Sequence, residues 1–220
     1  MEYTNKELES DNFIVDYDES VSYMPEIVLY LETKTNEIMS FFDLENLKTK
    51  KRIVIYTDLE KYKEHIEMYY PYRDYMRADT NDGNINLLSV EEAHKTHEHK
   101  DMTVEDLKST ILHEFVHICQ QDSEKEHIDS DIVWFWEALA TNLGNPENFS
   151  RVPIEATNDE INEFNSLENN YSIAFTIGNY LLENFSHKEI LDYVKYPSKL
   201  LNDSEKILND VREWSHTKKI

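Results

Sequence analysis

The chain has one cysteine, Cys119, so no disulfide can close within it. Only three glycines and five prolines occur in 220 residues, and no segment is rich in Gly, Ser or Pro. No flexible linker therefore divides the chain. A single domain over residues 1–220 is expected, with 1–49 readable as an N-terminal helical extension. No run approaches the roughly 18 apolar residues that a membrane span needs. The opening MEYTNKELESDNFIVDYDES carries neither a basic n-region nor an apolar h-region. A cytoplasmic address without a membrane partner is the expectation. Positive charge is also scarce: 22 Lys and Arg stand against 45 Asp and Glu, for a net charge of −23. Such a chain is repelled by nucleic-acid phosphates and by anionic membranes. A neutral or basic peptide is a more natural macromolecular partner.

Material for a core is present. The 14 Tyr, 9 Phe and 3 Trp, within 40% hydrophobic content, argue against intrinsic disorder. Residues 26–47 place Ile27, Val28, Leu31, Ile38, Phe41, Phe42 and Leu44 at helical spacings. KRIVIYT (51–57) is β-branched and aromatic and reads as a strand; a helix follows from Asp58, before Pro71. Asn81-Asp82-Gly83 signals a turn into a second short strand at 85–90. EEAHKTHEHK (91–100) reads as a polar surface loop, its His94, His97 and His99 being the alternative for an accessory metal patch. Thr103 followed three residues later by Asp106 marks a helix start. A further helix runs through DIVWFWEALATNL to Gly144, and from about residue 158 the pattern is helical again.

The helix after Thr103 contains HEFVH. Leu112, Phe115, Val116 and Cys119 form one apolar stripe, so Cys119 reads as a small core residue. His113 and His117 stand four apart, on a common face one turn from each other. Two imidazoles so placed can offer ring nitrogens to one Zn²⁺. Glu114 is angled off that line, near enough to reach a water on the metal rather than the metal itself.

The third ligand decides the reading. A metzincin-type site needs a glycine where Gln120 stands and a histidine where Ser123 stands. Glu137 is the better candidate, lying in IVWFWEALATNL among Ile, Val, Trp, Phe, Ala and Leu, with no Lys or Arg between Lys125 and Arg151. A carboxylate in apolar surroundings is costly unless it is paired or on a metal. His127, in the connecting loop, is the alternative ligand.

HEFVH, followed twenty residues later by the Glu of WFWEALA, resembles the gluzincin clan of zinc metallopeptidases. It is most similar to the small peptidase-MA-like domain, whose second motif reads Trp-x-x-Glu-Gly-Leu-Ala. The order of RIVIYTDLEKYKEHI, GNINLLS, YSIAFTIGNYLLENF and ILNDVREW is similar as well. The chain departs from the pattern at Ala138, where the family has glycine, and at Thr141 and Asn142, where many members carry an acid that orients a ligand histidine.

The resemblance implies an α+β, predominantly helical fold: a thermolysin-like zincin domain with a small sheet in its N-terminal half and helices in its C-terminal half. It also implies one Zn²⁺ per chain on His113, His117 and Glu137, and peptide hydrolysis by a metal-activated water with Glu114 as general base. Tyr171 is implied as the oxyanion donor, with Tyr180 second, and the strand at 85–90 as the edge where an extended peptide pairs. The alternative is a metallopeptidase-like regulatory or binding domain that holds zinc without general proteolytic activity. A third class is a helical protein in which the motif is coincidental.

Overall fold

A computed structural model describes residues 5–69, 71–80, 83–126, 132–144, 153–156, 164 and 170–218. The fold is α+β, with helix predominating over one small mixed sheet. Two compact units are distinguishable, Met1–Ile118 and Cys119–Ile220, and the division falls inside one unbroken helix.

The first unit holds the sheet. Strands β1 (Asn5–Glu9), β2 (Phe13–Asp18), β3 (Lys51–Tyr56), β4 (Ala78–Asp79) and β5 (Ile85–Leu88) lie in the order β1-β2-β3-β5-β4. The β1–β2 pairing is antiparallel, with Leu8 opposite Val15, and Ser10 closes the turn by accepting the Phe13 amide. Alternation buries Phe13, Val15 and Tyr17 on one face of β2. Strand β2 runs parallel to β3, the connection passing through α1 (Met24–Phe41); β3 runs parallel to β5, the connection passing through α2 (Leu59–Glu67). Residues 1–49, expected as a helical extension, thus supply two strands of the sheet as well as α1.

Glycine scarcity shows at the end of α1. Asp43 takes the left-handed conformation, φ 53°, that glycine usually fills there. The amide of Leu44 then reaches the Met39 carbonyl and that of Asp43 the Ser40 carbonyl. Helix α2 starts at the expected Asp58, whose carboxylate accepts the amides of Glu60 and Lys61. Gly83, at φ +76°, leads into β5. A short helix α3 (Val90–Ala93), capped by Ser89, occupies the start of the stretch read as loop.

Strand β5 is not an edge. Asn86 and Leu87 pair with Asp79 and Ala78 of β4, and the Leu88 amide reaches the Arg77 carbonyl. All four β5 side chains are buried. The expectation of a free edge at 85–90 is therefore corrected: the short β4 takes that place, because a two-residue strand carries too few residues to leave a pattern in the sequence.

Helix α4 (Val104–Ser123) is capped as expected: Thr103 Oγ1 accepts the Asp106 amide, and Asp106 accepts the Thr103 amide. Within the first unit α4 meets the sheet through Phe115, edge-on to Phe13 with ring centroids 5.2 Å apart.

Among its described residues, the second unit opens with the last turn of α4 and holds the helices α5 (Val133–Leu143), α6 (Asn170–Asn184), α7 (His187–Lys195) and α8 (Pro197–Thr217). Ser186 and Glu189 form a capping box on α7. Among the described residues, no helix is long and apolar enough to cross a membrane.

Candidate metal centre

Helix α4 sorts its side chains by face. Ile111, Leu112, Phe115, Val116 and Cys119 are at most 1% exposed, while His113, Glu114 and His117 are only partly covered. The apolar stripe anchors the helix, each fully buried Leu, Ile or Phe contributing about 1.5–3 kcal/mol. That anchoring fixes the direction of the adjoining imidazole face. The Nε2 atoms of His113 and His117 stand 3.2 Å apart, with ring centroids at 4.8 Å and planes at 82°. Two nitrogens on a tetrahedral Zn²⁺, each at about 2.0–2.1 Å, lie about 3.3–3.4 Å from one another.

Helix α5 brings the third group. Phe135, Ala138, Leu139 and Ala140 are fully buried and leave Glu137 on the partly covered face. The Gln120 side chain, fully buried in the last turn of α4, donates to the Trp136 carbonyl at 3.1 Å. That bond fastens α5 one residue before Glu137. On its far side α5 packs against α6 through an amide ladder. Asn142 Nδ2 reaches the carbonyls of Ala138 (2.8 Å) and Phe175 (3.2 Å), and Asn179 Nδ2 reaches Asn142 Oδ1 (2.8 Å). Gly178 permits the approach; a Cβ there would collide with the Asn142 side chain and the Ala138 carbonyl.

His113, His117 and Glu137 each offer one ligand atom, and the three atoms lie within 4.8 Å of one another. Among the described residues this is the group of His, Cys, Asp and Glu side chains able to hold a metal ion. Two imidazole nitrogens and a carboxylate oxygen suit a borderline divalent cation, zinc and ferrous iron among them. Glu114 is not one of the three converging ligands.

The remaining sequence candidates are placed as follows. Tyr171 lies in the first turn of α6, 49% exposed. Tyr180 is buried edge-on against Phe185 and Trp214, and burial, reinforced by the Asp210 carboxylate, raises its phenol pKa. It serves packing. His127 lies outside the described residues. The three histidines of the polar stretch diverge: His94 Nε2 meets the Met102 carbonyl at 2.6 Å, His99 Nε2 meets the Tyr75 carbonyl at 2.9 Å, and His97 sits beside Glu98. They form no common metal patch.

Sequence reading missed the parts that hold the centre in place. Gln120 registered only as a departure from another peptidase pattern, and its bond to a backbone carbonyl has no sequence signature. Gly178 did leave one, since a glycine inside a strong helical pattern marks a close approach. A comparison with known protein families and with curated proteins gives no match.

Proposed function

We propose that His113, His117 and Glu137 hold one Zn²⁺ ion and that the chain is a zinc-dependent peptidase of gluzincin type. The observation that carries this reading is the convergence of three ligand atoms within 4.8 Å, two of them imidazole nitrogens 3.2 Å apart. The donor set fits the ion; the apolar stripe of α4 orients the two imidazoles, and the Gln120–Trp136 bond fastens α5 beside Glu137. Zinc bound there supplies Lewis acidity, which polarises a carbonyl and acidifies water.

The chain's own groups do the rest. Glu114, beside the first ligand but not one of the three, acts as general base: its carboxylate takes the proton from the attacking water and hands it to the leaving amine. Tyr171, exposed at the start of α6, offers a phenolic O–H to the developing oxyanion. The substrate is a peptide of neutral or basic character, favoured by the net charge of −23. Its backbone does not pair along β5, which has a neighbour on either side.

The test combines elemental analysis with Glu114→Gln. Wild type should carry about one zinc per chain and cleave members of a broad peptide library. Glu114→Gln should keep zinc and fold and lose turnover by about 10²–10⁴-fold. Zinc without cleavage of any library member would favour the regulatory or binding domain; no zinc after incubation with the metal would remove the reading altogether.

A further inference from the structure

Thr141 stands in α5 one turn beyond Glu137, and side chains four apart share a helix face. It is 4% exposed, and its Oγ1 has no hydrogen-bond partner. Three other buried threonines inside helices are answered locally, whereas Ser123, the last residue of α4, also has an Oγ without a hydrogen-bond partner. Thr35 donates to the Leu31 carbonyl at 2.7 Å, Thr110 to that of Asp106 at 2.8 Å, and Thr176 to that of Ser172 at 2.9 Å. Thr141 does not turn back in this way. The three residues before it, Ala138, Leu139 and Ala140, are fully buried and apolar. Leaving a buried hydroxyl unanswered is destabilising, and an unsatisfied group of that kind needs a reason.

We propose that Thr141 is a positioning residue of the metal centre: with the ion in place, its hydroxyl donates to the Glu137 carboxylate and holds it in the ligating orientation. The proposal rests on the zinc reading above. A carboxylate that gives one oxygen to a metal keeps lone pairs on the other, and an O–H donor one turn along the same helix suits them. Groups that orient a ligand in this manner set metal affinity without touching the metal. On this proposal, removing the hydroxyl should weaken zinc binding without weakening the metal-free protein.

That contrast supplies the test. Thr141→Val keeps the shape and removes the hydroxyl; Thr141→Ser keeps the hydroxyl. Zinc affinity is measured for each by competition with a chromophoric chelator, and thermal unfolding is followed on the metal-free proteins. Thr141→Val should bind zinc about 10–100-fold more weakly, while Thr141→Ser stays within about threefold of wild type. Metal-free Thr141→Val should melt at or above the wild-type temperature, since it removes an unsatisfied polar group. A residue that only fills space cannot lower affinity and raise apo stability together. Wild-type affinity in Thr141→Val, or equal losses in both variants, would overturn the proposal. Failure of the underlying reading looks different: wild type itself would bind no zinc, and the proposal would fall with it.

Discussion

Two histidine settings in this chain invite comparison. His65, on α2, is 7% exposed, its Nε2 3.3 Å from Asp79 Oδ1 on β4. The rings of Tyr56 and Tyr69 lie 5.7 and 5.5 Å from its own. One imidazole meets one carboxylate among aromatic rings, and the pair ties a helix to a strand. His113 and His117 are less covered, yet they turn their Nε2 atoms toward each other at 3.2 Å, and the Glu137 carboxylate lies within 4.8 Å. Two ring nitrogens at this distance with a carboxylate oxygen beside them make a donor set that one cation can share. Burial alone therefore does not nominate a metal site. Convergence of donors does.

The sharpest way to break the comparison is to remove one imidazole from each setting. His113→Ala or His117→Ala should abolish stoichiometric zinc, read as metal per chain by elemental analysis. His65→Ala should keep one zinc per chain and instead lower stability by about 1–3 kcal/mol, as buried Asp79 keeps Asn86 but loses the imidazole, with a cavity cost added. Chemical denaturation reads that loss. Zinc depletion in His65→Ala equal to that in His113→Ala would erase the distinction between structural and metal-binding histidines.

A subtler change leaves every donor in place. Gly178→Ala puts a Cβ against Asn142 and the Ala138 carbonyl, the residue after Glu137. The α5–α6 contact must then open, at a cost of about 1–3 kcal/mol. With α5 displaced beside its ligand, zinc affinity should fall about tenfold, the low end of the effect of disturbing a ligand's support. The His65–Asp79 pair belongs to the first unit and should be untouched, so its ring proton shifts serve as an internal control. Unchanged zinc affinity together with the stability loss would mean that the amide ladder serves packing alone.

The legible and illegible parts of the molecule divide along a physical line. Periodic burial was readable: the stripe of α4, the helical spacing of α1, the strand at 51–56 and the cap at Thr103 all follow from local pattern. The three converging side chains were readable too, because a four-residue helical spacing and a carboxylate among apolar side chains are local signals. Strand β1, NKELE, was not, since it is polar and owes its existence to pairing with β2. Its partner FIVDYD alternates in burial and is rich in β-branched and aromatic residues, so that half of the hairpin was there to be read despite apolar Ile14. The supports of the site escaped for the same reason as β1. Gln120 to a backbone carbonyl, and Asn142 to Asn179 across two helices, are long-range contacts between residues whose types say nothing by themselves.

The histidines of the polar stretch give a third setting and the smallest effect. His99 donates from Nε2 to the Tyr75 carbonyl at 2.9 Å, and its pKa is lowered, first by burial and then by the positive charge of Arg77. A histidine whose folded pKa lies below its unfolded value binds its proton more readily in the unfolded chain. Its contribution to stability is therefore complete above the unfolded value of about 6.5 and is lost as pH falls from there through the folded pKa. Gln at this position keeps an N–H donor for the carbonyl and carries no titrating group. In urea denaturation at pH 7.5 and pH 5, the wild-type midpoint should fall further than that of His99→Gln, the difference between the two isolating this one residue from the other eight histidines. Equal falls would mean that His99 takes up its proton as easily folded as unfolded. Its bond to Tyr75 would then be a surface contact, as at His97, rather than the partly buried tie that separates His99 from its neighbour.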